Sequence, residues 1–294
     1  MRIIFAGDEH PYSAFALKEV ARLAMHTWAD VTLLGVLPEL PFGEGADSPP
    51  WPLNHPLNLA LKRYREDFLN SWEKEESPYA PKKCEHAWLP LRGGGWDEML
   101  VCRGDKKDLQ VRLRVGTVSA EILGEAQKGG GDLLVVGCTK GEQCLWQNAL
   151  PVPQRVVNDA DCSVLLVKED QPITRILACL DQSYISQESL EMINQMVTIH
   201  GAKLELIGLS QEGSMKKEVY TRLIEIGDYY SDRQVKVTTR LTAVAEFEDF
   251  IAKEVGQDLL ALWMGKKSLL RRFFPRDWVG RIVGKCRTSV LVLR

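Results

Sequence analysis

Short runs of Val, Ile and Leu recur along the chain without polar alternation, and stretches with helical periodicity lie between them. The runs at residues 2–6, 31–36, 111–115, 132–137 and 163–167 predict strands buried on both faces, and so do those at 175–180, 204–209, 235–239, 258–263 and 289–293. Helix-spaced stripes fall between them: Leu17, Val20, Ala21 and Ala24; Leu190, Ile193 and Val197; Phe247, Phe250 and Ile251. Such alternation predicts an α/β fold with right-handed crossovers, in which a mainly parallel, doubly wound sheet carries helices on both faces.

The pattern repeats. Asp8 and Asp181, each closing an apolar run, lie 173 positions apart, and Gly35 and Gly208 keep that offset. DLLVVG (132–137) and DLLALW (258–263) match at an offset of 126, as do CSVLLVK (162–168) and TSVLVLR (288–294). The sequence therefore predicts a duplicated domain, residues 1–170 and 171–294, with about 47 extra residues in the first copy. A short linker around Glu169–Thr174 carries Pro172, which stops the outgoing strand.

The extra chain falls within residues 38–109, which hold nine of the fourteen prolines together with Trp51, Trp72 and Trp88. Residues 38–56 read as an irregular loop, Leu57–Glu76 as a charged amphipathic helix, and 77–109 as a second excursion. Their aromatic content argues against plain disorder. A partner-facing lid and a packed decoration of the domain both fit.

Composition narrows the field. With 294 residues, 45% apolar and 26% charged, the chain holds enough for about two globular domains. No run reaches the roughly 18–20 apolar residues of a membrane span. MRIIFAGDEH meets acidic residues too early for a signal peptide. Seven scattered cysteines favour a reducing, cytoplasmic setting over a disulfide framework. The net charge of −3 argues against a nucleic-acid partner for the surface as a whole.

The strand ending in Asp8, the AEIL helix start after Gly116, the DLLVVG strand and the closing CSVLLV strand together resemble the universal stress protein family, and both halves fit. The resemblance implies two Rossmann-like domains of five strands each, paired through their last strands as an intramolecular pseudo-dimer. It also implies a role in stress survival by binding or scaffolding rather than as an enzyme, and it leaves a homodimer open. Many family members bind ATP or AMP through a G-x2-G-x9-G-[S/T] loop, in which glycines bring backbone N–H groups onto the phosphates. In the first half that register gives Gly137, Lys140, Leu150 and Pro151; in the second it gives Trp263, Lys266, Arg276 and Asp277. Proline offers no N–H, and a carboxylate repels phosphate. Nucleotide binding is thus expected to be lost in the second half. In the first, ATP or AMP would have to rely on Asp8, Val36, Gly137 and Lys140. The plainer reading of Asp8, and of Asp181 with Ser183, is that they cap the helices that follow.

Residues 265–294 hold nine Lys or Arg against one acid, a net of +8, while the remainder of the chain carries −11. Lys266, Lys267, Arg271, Arg272 and Arg276 form a candidate site for an anion, a nucleic acid or an acidic partner. Their alternative role is the solvated face of a last helix that buries Trp278, Val279, Ile282, Val283 and Cys286. Gly280 and Gly284 would weaken that helix unless they permit close packing. Cys84-Glu85-His86 lacks a second ligand pair at zinc spacing, so no metal site is expected. Cys138 and Cys144 flank the eroded loop as redox-sensitive or buried structural thiols.

Overall fold

The apolar runs coincide with strands, except that the run at 235–239 becomes a strand over Val237–Ala243, which lies at a sheet edge and is part-exposed rather than buried on both faces. The computed structural model describes residues 1–38, 55–73, 77–80, 83–90, 96–140, 144–146, 151–180, 184–210, 216–256, 258–264 and 278–294. The chain divides into two compact units, residues 1–138 with 159–162, and residues 139–158 with 163–294.

The first unit runs β1 (Arg2–Ala6), α1 (Pro11–Thr27), β2 (Asp30–Leu37), α2 (Pro56–Asn70), β3 (Lys83–Pro90), β4 (Trp96–Arg103), β5 (Asp108–Val115), α3 (Val118–Gly129) and β6 (Leu133–Gly137). Its strand order is β6-β1-β2-β5-β4-β3. β6, β1, β2 and β5 are parallel, and β4 and β3 continue the sheet antiparallel. Pro11 opens α1 at its first turn, where a missing N–H costs no helical bond. Gly130, at φ 58°, closes α3 in the left-handed conformation that suits glycine. Leu17, Val20, Ala21 and Ala24 are all buried.

The segment predicted as an irregular insertion is more regular than its composition suggested. The amphipathic helix ends at Asn70 rather than Glu76, and Lys83–Pro90 and Trp96–Arg103 pair antiparallel as two added strands on the edge of the sheet. A buried ion cluster holds the pair. The Arg114 guanidinium pairs with Glu125, lies 3.4 Å from Glu121 and reaches Asp97 of β4 at 3.6 Å, while Arg112 meets Glu125 at 2.6 Å. Burial pushes the Asp97 carboxyl above its ordinary range, against the pull of Arg114 and Arg112. Residues 39–54, including Trp51, lie outside the described residues.

The second unit contains α4 (Val152–Asp159, whose last residue falls in the first unit), β7 (Ser163–Val167), β8 (Arg175–Leu180), α5 (Gln187–His200), β9 (Lys203–Ser210), α6 (Lys217–Ser231), β10 (Val237–Ala243), α7 (Phe247–Glu254), β11 (Leu259–Trp263), α8 (Trp278–Lys285) and β12 (Val290–Leu293). Its order is β10-β9-β8-β11-β12-β7. The first four pairings are parallel, and β12 meets β7 antiparallel with Leu291 opposite Leu165. Among the described residues each unit carries six strands, and in the first unit β3 and β4 are the two that the sequence left as an irregular excursion. Ser186 caps α5 by accepting from the Ser189 N–H.

At the β7–β12 junction the Lys168 N–H donates to Ser289 Oγ, and the Arg294 N–H to Ser163 Oγ. Gly280 of α8 supplies the close approach that its sequence position left conditional. A Cβ there would meet Asn158 and Gln154 of α4 at 3.0–3.3 Å, and its N–H donates to Asn158 Oδ1. Val279, Ile282, Val283 and Cys286 are buried, as their spacing requires, while the side chain of Trp278 lies outside the described residues.

The cysteine expectation is corrected. The β3–β4 register sets Cys84 opposite Cys102 with Cα atoms 4.0 Å apart, and the two are disulfide-bonded; Cys138 and Cys144 are disulfide-bonded as well. Sequence spacing could not reveal this, because it is strand register rather than proximity in the chain that makes the pair. Among the described residues, no helix is long and apolar enough to cross a membrane, and no group of three or more His, Cys, Asp or Glu is placed to hold a metal.

Candidate functional site

β1 ends at Ala6, and the turn into α1 carries Asp8, which is 8% exposed. Its carboxylate is fully engaged by its own neighbourhood. Oδ1 accepts from the His10 N–H at 3.1 Å and from Ser13 Oγ at 2.8 Å, and Oδ2 accepts from the Tyr12 hydroxyl. The Asp8 N–H donates to Ser13 Oγ, and the Asp8 carbonyl accepts from the Tyr64 hydroxyl at 2.6 Å. Asp8 therefore shapes an Asx-type turn. The N-cap of α1 is His10, whose side chain makes no capping bond; Asp8 stands two residues earlier and bonds the His10 N–H rather than an N–H of the helix, so it is not the cap the sequence predicted.

Tyr64 comes from α2, the helix that covers the ends of β1 and β2. Its ring packs edge-on to Phe5, and burial pushes its hydroxyl pKa up to about 12. Beside it, Leu57 and Leu61 lie directly over Gly35, where a Cβ would come within 2.8 Å of Leu61. Val36 follows, buried within β2 and in register with Arg114.

Gly137 closes β6 and is buried against the first turn of α1. A Cβ at this position would stand 2.4 Å from the Tyr12 carbonyl oxygen and 2.9 Å from the Ser13 nitrogen. The glycine thus serves contact between strand and helix, and backbone occupies the space beside it.

Asp8, Tyr12 and Gly137 form one packed cluster in the first unit. Lys140 belongs to the second unit, where its exposed ammonium pairs with Glu169. Beside it, the Thr139 N–H donates to the Leu145 carbonyl at 3.1 Å, and the Leu145 N–H to Thr139 Oγ1. Trp146 is buried, and the Pro151 carbonyl accepts from the Arg155 N–H to start α4. Trp263, which stands where the second half would need its first loop glycine, is 2% exposed. Leu150, Asp181, Ser183, Lys266, Lys267, Arg271, Arg272, Arg276 and Asp277 lie outside the described residues.

Sequence reasoning missed Tyr12, Ser13 and Tyr64. Tyr64 sits on the stripe Leu57, Leu61, Tyr64 and Phe68, so its burial was legible, whereas its target on Asp8 depends on how α2 crosses β1. A separate cleft of about 640 Å³ in the first unit is lined by Met25, Trp28, Trp72, Pro78 and Lys106 among others. Trp28 there is 45% exposed, with Lys106 Nζ 4.8 Å from its ring centre.

The parallel α/β sheet with a strand-end aspartate defines a known class. Residues 1–168 match the universal stress protein family, and the chain belongs to that family. In fold it is similar to a universal stress protein from Archaeoglobus fulgidus, at 15% identity and a TM-score of 0.59 over 100% of this chain and 98% of that one. It is also similar to a protein of unknown function from Pseudomonas aeruginosa, at 13% identity and a TM-score of 0.59 over 99% and 92% of the two chains. No curated protein matches.

Proposed function

We propose that this chain is a tandem universal stress protein that acts by binding or scaffolding rather than by catalysis, with its nucleotide sites disabled. In this reading residues 1–170 and 171–294 are two copies of one domain. They pair through their last strands as a covalent pseudo-dimer in the family's cytoplasmic setting.

The observation that carries the reading is the occupied Asp8 site. The carboxylate accepts from Tyr12, Ser13 and His10, and Gly137 abuts the Tyr12 backbone. A purine and its phosphates would have to displace the hydrogen bonds that Tyr12, Ser13 and the His10 N–H make to a buried carboxylate, leaving polar groups unpaired. The Thr139 N–H, two residues after Gly137, is already bonded to the Leu145 carbonyl. The cleft beside Trp28 and Lys106 supplies an aromatic, part-exposed contact surface of the kind that protein partners use.

Isothermal titration calorimetry with ATP and with AMP tests the reading. No saturable heat is expected with either. Saturable binding that disappears in Asp8→Ala would replace this proposal with a nucleotide-dependent switch.

A further inference from the structure

The Cys84–Cys102 disulfide joins the two outer strands, and its two sulfurs live in different surroundings. Cys84, on the edge strand β3, is exposed, whereas Cys102, on β4, is 2% exposed. Arg65, projecting from α2, places Nη2 3.4 Å from the Cys102 sulfur and 3.7 Å from that of Cys84. Among the described residues this arginine has no carboxylate within ion-pair distance, and its buried Nε has no hydrogen-bond partner. Other charges nearby are committed: Lys83 on β3 holds Glu85 at 2.7 Å. Arg103 of β4 adds a further positive charge near Glu85. Leu109, facing Cys102 from β5, is apolar.

An unpaired guanidinium against a sulfur is well placed to stabilise a thiolate. We propose that Cys84–Cys102 is a thiol–disulfide exchange site with a fixed polarity: an external thiol attacks Cys84, and Cys102 leaves as a thiolate held by Arg65. The co-reactant is a low-molecular-weight thiol. Its thiolate forms a new S–S bond to Cys84 while the Cys84–Cys102 bond breaks, and that electron pair stays on Cys102. A second thiolate then attacks the mixed disulfide at the external sulfur and releases Cys84 as a thiolate. The net result is one external disulfide and a protein dithiol, two electrons having passed to the protein. Reversal begins from the same Cys102 thiolate, which is positioned to attack a mixed disulfide on Cys84. The asymmetry follows from the geometry, since the exposed sulfur accepts the nucleophile and the buried one has the cation that favours departure.

The oxidised protein is mixed with glutathione, quenched with acid at early times and mapped by peptide mass spectrometry. The adduct is expected on Cys84 with Cys102 as a thiol. Arg65→Gln is expected to slow the reaction about tenfold, and Arg65→Lys to recover most of the rate. Thiolate absorbance near 240 nm, taken as the difference between Cys84→Ser and Cys84→Ser/Cys102→Ser, gives a readout that does not depend on folding of the Arg65 variants. With Arg65 present, Cys102 should ionise below the ordinary thiol value of about 8.5. Adducts on Cys102, equal rates for wild type and a folded Arg65→Gln, or an ordinary or raised Cys102 ionisation would each overturn the proposal.

Discussion

Lys168 and Arg294 each close a helix far from their own position in the chain. Lys168 Nζ donates to the carbonyls of Val283, at 2.6 Å, and Cys286 at the end of α8. Arg294 Nη2 donates to the carbonyls of Val157 and Asn158 at the end of α4. Both residues directly follow a strand, β7 or β12, and both place a cation where a helix leaves its last carbonyls without partners.

Lys168 is 2% exposed, and burial lowers its pKa from 10.5 to about 8, against the pull of Cys286 and Glu169. Below about pH 8 the lysine is charged in both the folded and unfolded states, so the full cost of burying the charge is present. Between there and 10.5 the folded protein holds fewer protons than the unfolded chain, so stability rises with pH. Urea unfolding of wild type and Lys168→Met, compared near pH 8 and near pH 10, should show wild type gaining roughly 2 kcal/mol relative to the variant. A constant difference between the two would contradict this.

Arg294→Ala should destabilise the protein by about 1–2 kcal/mol, because two helix-terminal carbonyls lose a charged donor. Hydrogen exchange should locate the loss in α4. Loss spread evenly over the second unit would argue against a capping role.

Asp8 is a structural acceptor in this protein. Asp8→Ala strands Tyr12, Ser13 and the His10 N–H and is expected to cost about 2–3 kcal/mol, whereas Tyr64→Phe removes one bond and costs about 1 kcal/mol. Chemical denaturation measures both.

Two glycines should answer alanine with opposite signs. At Gly137 the new methyl meets Tyr12 and Ser13 backbone that cannot step aside, so a loss of about 3 kcal/mol or more is expected. At Gly124, within α3, a Cβ meets nothing within 4 Å, and alanine should add about 1 kcal/mol through helix propensity. Thermal melts of the two variants read the contrast directly.

Most strands could be read from the chain because runs such as LLVVG and SVLLV carry no competing pattern. The two edge strands could not. Lys83–Pro90 mixes charged, aromatic and apolar residues, as an edge exposed to solvent allows, and its Pro and Gly flanks read as loop. The candidate site divides in the same way. Asp8 and Gly137 were identifiable by position, but their meaning rested on Tyr12 and Tyr64. Tyr64 reaches the site through a helix crossing, which no local spacing encodes.

The antiparallel meeting of β7 with β12 also sets a timetable for synthesis. β7 leaves the ribosome more than a hundred residues before the strand it will meet, and α4 precedes Gly280 and Arg294 by a similar length. The apolar β7 edge that will face β12 therefore waits through translation of nearly the entire second half, making it the natural place for a chaperone to engage the nascent chain.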